Sequence, residues 1–436
     1  MTVAKYDALL GQVRESDLTE DILSYGVELD TALAGSTLVL KRIGSMDMHR
    51  NLYIQNQMKG CLQNDAGVVV RYLDPLSWTS ETRDGSLGQV MVELPAHYRK
   101  FNYPGGTIIQ PRISQIALPG YHFVPKMYIS AYEASLQHST GKLCSVVNAD
   151  ADYRGGNNTS AWDGTYRSLL GRGATNLSRG AFRTAARLRN AANTSWNCQD
   201  YNAYNSMFWL YMIEYANTNS QLAVNASKDA AGLTQGGLGT GVTDWDGTWS
   251  TWNSYNPFVP CGHTDSLGNR SGEVAYAIKD TDGTTTIKTV KANRYRGIEN
   301  PFGHIWKWTD GVNIETLTAG SGGTTKCYVA TDPAVYNDSN YVGYTNRGLL
   351  ARGNGYISKL LIDQFGDILP SETSGGSTTG WCDYFWTDIG SDALRGFLSG
   401  CAANYGANCG LACASADCAP SIAGTRIGSR LCFIPA

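Results

Sequence analysis

The chain has 436 residues, enough for one large domain with an extension or for two to three ordinary domains. Glycine (49), tyrosine (25) and tryptophan (11) are abundant while charged residues make up 17%, a profile of loop-rich structure packed through aromatic rings rather than of long helices. A net charge of −3 leaves no basic footprint for nucleic acid, and the longest strongly apolar run, 208–213, falls far short of the roughly 20 residues of a membrane helix, so neither nucleic-acid binding nor membrane insertion is expected.

Residues 1 to about 30 carry a helical pattern in which Ser16 or Asp17 could cap the run Leu18, Ile22, Leu23 and Val27. No apolar signal core with a small-residue cleavage site opens the chain, so ordinary secretion is not expected. Residues 37–43, 67–72 and 89–94 read as β-branched strands between polar turns. Residues 1–104 thus read as a small mixed region, either a packing subdomain or an attachment and oligomerisation segment. The character changes at Tyr103-Pro104-Gly105-Gly106, and 105–436 reads as a larger domain with an early strand of alternating bulky residues at 121–134.

Two helices follow. Ser178 can cap a segment with Ala181, Phe182, Ala185, Ala186 and Leu188 on one face. Asp200 can cap another with Tyr204, Met207, Phe208, Tyr211 and Tyr215 at helical spacing, and both should face the core. Residues 232–260 are rich in Gly and Trp and read as an irregular loop. Its Gly-Gly-Leu-Gly-Thr-Gly run at 236–241 lacks the surrounding βαβ unit of a dinucleotide loop. Residues 274–290 are two alternating runs joined by Asp282-Gly283, a hairpin signal. Asp280 and Asp282 lack the later acidic residue of a calcium loop. His122 and His304, both beside aromatic runs, are expected to be satisfied core histidines. In 300–310, NPFGHIWKWTD, Trp306 and Trp308 alternate around Lys307, so both indoles can face one side of a strand and pack into the core. The Ser/Gly/Thr-rich stretch 371–380 reads as a flexible surface loop.

From residue 398 onward neither a helical nor a strand period holds. Gly400, Ala402, Gly406, Ala407, Gly410, Ala412, Ala414, Ala416, Ala419 and Pro420 set the rhythm. Between them stand Cys401, Tyr405, Cys409, Cys413, Asp417, Cys418, Ile422, Thr425 and Arg426, which share no chemistry. Beyond Glu372 there is no Lys, Glu, Gln or Met, although a solvated surface would use Lys and Glu freely. Randomising the adenines of an AAC or AAT codon yields the inserted residue types but cannot yield Lys, Glu, Gln, Met or Trp. A small-residue frame packs alike in every variant, so exposed inserts could be exchanged without disturbing the core.

Eleven cysteines is an odd number, and five of them (Cys401, Cys409, Cys413, Cys418 and Cys432) crowd the tail. A disulfide framework is not expected, and four of the five read as products of codon randomisation. Cys409, Cys413 and Cys418 have neither C-x2-C spacing nor a nearby His to hold a metal.

The run 406–433, with Trp381-Cys382-Asp383-Tyr384 upstream, resembles the variable region of target proteins diversified by retroelements in bacteriophages and bacteria. NPFGHIWKWTD resembles the N-x-x-G…W-E-W motif of C-type lectin domains of the formylglycine-generating-enzyme subtype, with Lys307 where those enzymes commonly have Glu. Tyr132-Glu133-Ala134 corresponds loosely to the E-V-T that ends their opening strand. The resemblance implies an α+β chain: a C-type lectin-like domain of that subtype over 105–436, a small mixed N-terminal extension, and a variable region at about 381–432. It implies a ligand-binding surface made of Tyr384, Cys401, Ala403, Asn404, Tyr405, Asn408, Cys409, Cys413, Ser415, Asp417, Cys418, Ile422, Gly424, Thr425 and Arg426.

The function so implied is that of a phage tail or fibre adhesin, made in the host cytoplasm and carried on the virion. It would contact other virion proteins and attach to a host cell-surface receptor, protein or glycan. Linking copies raises avidity by about 10² to 10⁴, so a homo-oligomer is expected, with a trimer as the form suited to a fibre. A structural virion protein with an incidental variable tail is one alternative, and an oxidase of the formylglycine-generating type is the other. The namesake enzymes place a C-x4-C pair shortly before a terminal G-x-R element, which here falls at Ala407 and Ala412. Cys413 and Cys418 have that spacing but not that place. Neither catalysis nor a metal or other cofactor is expected.

Overall fold

A computed structural model of the chain describes residues 19–30, 40–245 and 247–435. One antiparallel sheet has the order β2 (Lys41–Gly44), β1 (Tyr25–Asp30), β7 (Ile108–Ser114), β6 (His97–Gly105) and β8 (His122–Val124). A second runs β12 (Trp196–Cys198), β26 (Leu431–Phe433), β9 (Met127–Ser130), β5 (Gln89–Leu94), β3 (Lys59–Gln63) and β4 (Val69–Tyr72). The third runs β18 (Thr345–Leu349), β17 (Thr325–Val329), β16 (Trp306–Thr316), β23 (Ala393–Ser399), β24 (Ala414–Ala416), β22 (Tyr384–Thr387) and β19 (Gly355–Tyr356), with β25 (Ile427–Gly428) parallel beside β16. β13 (Gly272–Lys279), β14 (Thr286–Tyr295) and β15 (Ile298–Glu299) form a three-stranded sheet. β10 (Ser135–Gln137) pairs with β11 (Lys142–Cys144), and β20 (Lys359–Leu360) with β21 (Pro370–Glu372). Among the described residues the α-helices are few: α1 (Glu20–Leu23), α2 (Met46–Asn51), α3 (Arg179–Arg187), α4 (Tyr201–Tyr215) and α5 (Trp249–Asn253). The architecture is a sheet-rich α+β one, and no helix among the described residues is long and apolar enough to cross a membrane.

The core gathers around α4. Asp200 caps it, its Oδ1 accepting from the N–H of Asn202 at 2.8 Å and of Ala203 at 3.0 Å. Every residue of α4 except Asn202 is buried, the polar Asn205 and Glu214 included, and the helix touches strands of all three large sheets. Ser178 caps α3 through a hydrogen bond from the N–H of Ala181. The buried Arg179 and Arg183 tie α3 to the third sheet, Arg183 meeting Asp310 of β16 at 2.5 Å and Asp338 at 2.6 Å.

Several expectations change in three dimensions. Val27 lies in β1 opposite Arg42, and helix survives only over Glu20–Leu23, because pairing with β2 and β7 outweighs the local helical period. Ser16 and Asp17, like 37–39 of an expected strand, fall outside the described residues. The strand expected at 121–134 is two, β8 and β9, in different sheets. The chain crosses between them at Pro125, which has no N–H to continue a ladder. His122 is exposed rather than in the core. The spacer 371–380 is tied down in part, with the N–H of Ser374 donating to Ser358 Oγ. The boundary expected at residue 104 falls within β6, and β3 to β5 share their sheet with β9 and β26, so strands from both sides of it form one layer.

Candidate functional site

The tail is held at its far end. β25 pairs with the start of β16, β26 inserts between β12 and β9, and the buried Arg430 guanidinium donates to the carbonyls of Ser130, Glu299 and Asn300. Beneath it lies a buried polar cluster. The Nδ1–H of His304 donates to Glu133 Oε2 at 2.5 Å, while its Nε2 accepts from the N–H groups of Phe258 and Val259, each at 3.1 Å. Lys307 Nζ lies 3.1 Å from Glu133 Oε1 and donates to the Gly303 carbonyl at 2.6 Å. Burial alone would raise the Glu133 carboxyl, but His304 and Lys307 outweigh it and hold the group at about 2. Burial pushes Lys307 the other way, down to about 8, against the pull of Glu133. Lys307 thus takes a place beside a carboxylate supplied by another part of the chain, and the two tryptophans that flank it turn toward the tail.

Most of the small residues of the tail face inward as a frame, while Ala407 is exposed and Gly406 and Ala419 are half-buried. Ala402, Ala403, Ala412, Ala414 and Ala416 are all buried. Gly410 has φ +152°, and a Cβ there would lie 2.1 Å from Asp383 Oδ1. Asp383 in turn accepts from the N–H of Ala412 at 2.7 Å, and burial pushes its carboxyl well above the usual carboxylate range. Main-chain bonds that do not depend on insert side chains complete the frame, among them Gly396 N–H to the Cys418 carbonyl and Ala403 N–H to the His304 carbonyl.

Against this frame stands a cluster of aromatic rings. Strand alternation places Tyr384 and Trp386 of β22 on one side while Phe385 between them is buried. Ring centroids are 4.5 Å apart for Tyr384–Trp386, 4.9 Å for Trp386–Tyr405, 5.4 Å for Trp306–Tyr405 and 5.1 Å for Tyr356–Tyr384. Tyr356, Tyr384, Trp386 and Tyr405 are half-buried, and Trp306 closes the cluster from beneath at 4% exposure. Beside it, Arg426 accepts through its carbonyl from the Trp306 N–H and places its guanidinium 5.7 Å from the Tyr255 ring centre. Asn404, Asn408, Asp417, Cys418, Gly424 and Thr425 are half-buried and Ile422 is exposed. The carbonyl of Ile422 accepts from Trp308 Nε1 at 3.3 Å, so its backbone is anchored while its side chain is free to vary.

Cys401, Ala403, Cys409, Cys413 and Ser415 are buried, which corrects their expected place at the surface. The reason is local. Cys401 and Cys413 are joined in a disulfide that closes the loop carrying Tyr405, so these two cysteines are not loose inserts. Cys409 points inward with its Sγ near the Ala402 carbonyl, and burial raises its thiol well above the usual range. Ser415 lies in β24 between β22 and β23. Sequence reasoning missed Trp386, Tyr356 and Tyr255 as parts of this face. For Trp386 a signal existed, since Tyr384-Phe385-Trp386 alternates; for the others contact across the fold was needed.

No family model matches the chain, and no curated protein matches it. Among solved structures it is similar to the Major Tropism Determinant U1 variant, at 13% identity and a TM-score of 0.27, over 86% of this chain and 72% of that one. That likeness is too distant to carry the fold or the function of this chain.

Proposed function

We propose that this protein is a receptor-binding protein of a phage virion, presenting a retroelement-diversified surface on a C-type lectin-like scaffold of the formylglycine-generating-enzyme subtype. The observation that carries the reading is the half-buried ring cluster in which two residues of the expected ligand-binding surface, Tyr384 and Tyr405, sit on a frame of buried alanines and glycines. Partly exposed aromatic side chains are the residues that most often anchor a partner, because they bury large area at small entropic cost. Exchanging them leaves the frame intact. The occupant of this face is a host cell-surface molecule, protein or glycan, and linked copies of the chain on a tail or fibre would raise its avidity. The N-terminal region would serve attachment to other virion proteins.

Binding is preferred to oxidase catalysis on chemical grounds. Of the pair with C-x4-C spacing, Cys413 is taken up in the disulfide with Cys401, and burial together with nearby Asp417 pushes the Cys418 thiol up to about 12. A thiol held protonated is a poor nucleophile. The test is the double variant Tyr384→Ala/Tyr405→Ala, measured for attachment to susceptible cells and for melting temperature. Attachment should fall at least tenfold with the melting temperature nearly unchanged; full attachment would exclude this surface as the recognition site.

A further inference from the structure

Away from the ring cluster, and sharing no residue with it, the chain forms a concavity of about 650 Å³. This lies within the roughly 300–1,000 Å³ of pockets that hold compact ligands. Its charge is lopsided for a protein of net charge −3: Arg50, Lys59, Lys228, Arg270 and Arg296 line it against one carboxylate, Glu214. That carboxylate is already consumed. Both its oxygens accept from Arg296, at 2.6 and 2.7 Å, and Oε2 also accepts from the Tyr295 hydroxyl. The other four cations are exposed and, among the described residues, none has a carboxylate within ion-pair distance. Arg50, Lys228 and Arg270 are instead positioned by backbone carbonyls, those of Ala231, Arg50 and Leu76 respectively, which orient the groups without neutralising them.

We propose that this cleft is a binding site for an acidic saccharide segment, bearing carboxylate or phosphate groups. Four uncompensated cations around a concavity, three of them oriented by carbonyls, attract anions and concentrate them there. The amides of Asn56, Asn225 and Asn269 on the same walls are suited to sugar hydroxyls. A nucleic acid fits less well, because single strands need exposed rings on which bases stack, and the one ring lining the cleft, Tyr215, is 8% exposed. None of the cleft residues lies in the variable region, so this contact would stay constant while the ring cluster changes.

The experiment is calorimetric titration of the full chain with tetragalacturonate, with glucose 6-phosphate and, as neutral control, with maltotetraose. Binding of at least one acidic ligand is expected, weakening as salt is raised from low to physiological strength, with no binding of maltotetraose. The variant Lys59→Glu/Arg270→Glu should bind at least tenfold more weakly while keeping its melting temperature. Lys59→Glu alone, at an exposed side chain, decides the matter if the double variant does not fold, with a loss of at least threefold expected. The variant Tyr384→Ala/Tyr405→Ala should bind these ligands as the parent does, which separates this site from the recognition face. Failure of both acidic ligands to bind, binding indifferent to Lys59→Glu, or tighter binding of a DNA oligonucleotide or an acidic peptide would overturn the proposal.

Discussion

Two regions that meet at the start of β16 obey opposite rules. On one side of the strand Lys307 enters the closed network of Glu133, His304 and the Gly303 carbonyl, in which each group has a partner set by the others. On the other, Trp306 and Trp308 support Tyr405 and Ile422, whose side chains reach a half-exposed or exposed surface while main-chain bonds hold their backbone. A change in the first region strands a buried charge or polar group, whereas a change at an exposed side chain of the second leaves its backbone bonds in place. The start of β16 thereby separates side chains held by a buried ionic network from side chains that reach the surface.

The largest test of that contrast is Glu133→Ala. It leaves Lys307 buried without a counter-charge, and loss of one partner from a buried pair costs about 3–5 kcal/mol, measurable by urea unfolding. The same network predicts a pH effect. The Glu133 carboxyl is held at about 2, below its ordinary 4.5, so the folded state binds this proton less tightly than the unfolded one. Its contribution is complete above about pH 4.5 and is lost as pH falls toward 2. Melting temperature followed across that window should drop in the parent and drop less in Glu133→Gln, once the latter's lower starting stability is allowed for.

A smaller effect is expected from the disulfide that closes the tail loop. Cys401→Ala/Cys413→Ala should lower stability by about 2–3 kcal/mol in a denaturant series, since the bridge restrains a short loop of the unfolded chain. Because that loop carries Tyr405, attachment should weaken as well. Smallest of all, Ile422→Ala, at an exposed side chain, should change stability by no more than about 0.5 kcal/mol, while it and Arg426→Ala alter which cells are bound. A stability loss at Ile422 as large as that at Glu133 would erase the distinction between the two regions.

Much of the scaffold was legible in the residues. Ser178 and Asp200 cap the helices expected from them, Asp282-Gly283 turns the hairpin between β13 and β14, and β5 lies where its β-branched residues placed it. Each rests on hydrogen bonds or periodicity within a few neighbouring residues, which a sequence displays directly. The inward-facing alanines were legible for the same reason, because small side chains recur at close intervals whatever stands between them. The exposure of the inserts was only partly so: Ile422 and Tyr405 reach the surface, while Cys409 and Ser415, of equally arbitrary chemistry, do not.

What the sequence by itself determined, then, is local: the caps, the hairpin turn, the apolar helix α4 and the presence of a small-residue frame. Only the tertiary structure decided that Val27 belongs to a strand, that Cys401 pairs with Cys413, and that Tyr356, Trp306 and Trp386 join Tyr384 and Tyr405 in one cluster. Those outcomes depend on which distant segments the closing of the sheets brings within a few ångströms, and no period or spacing along the chain encodes that distance.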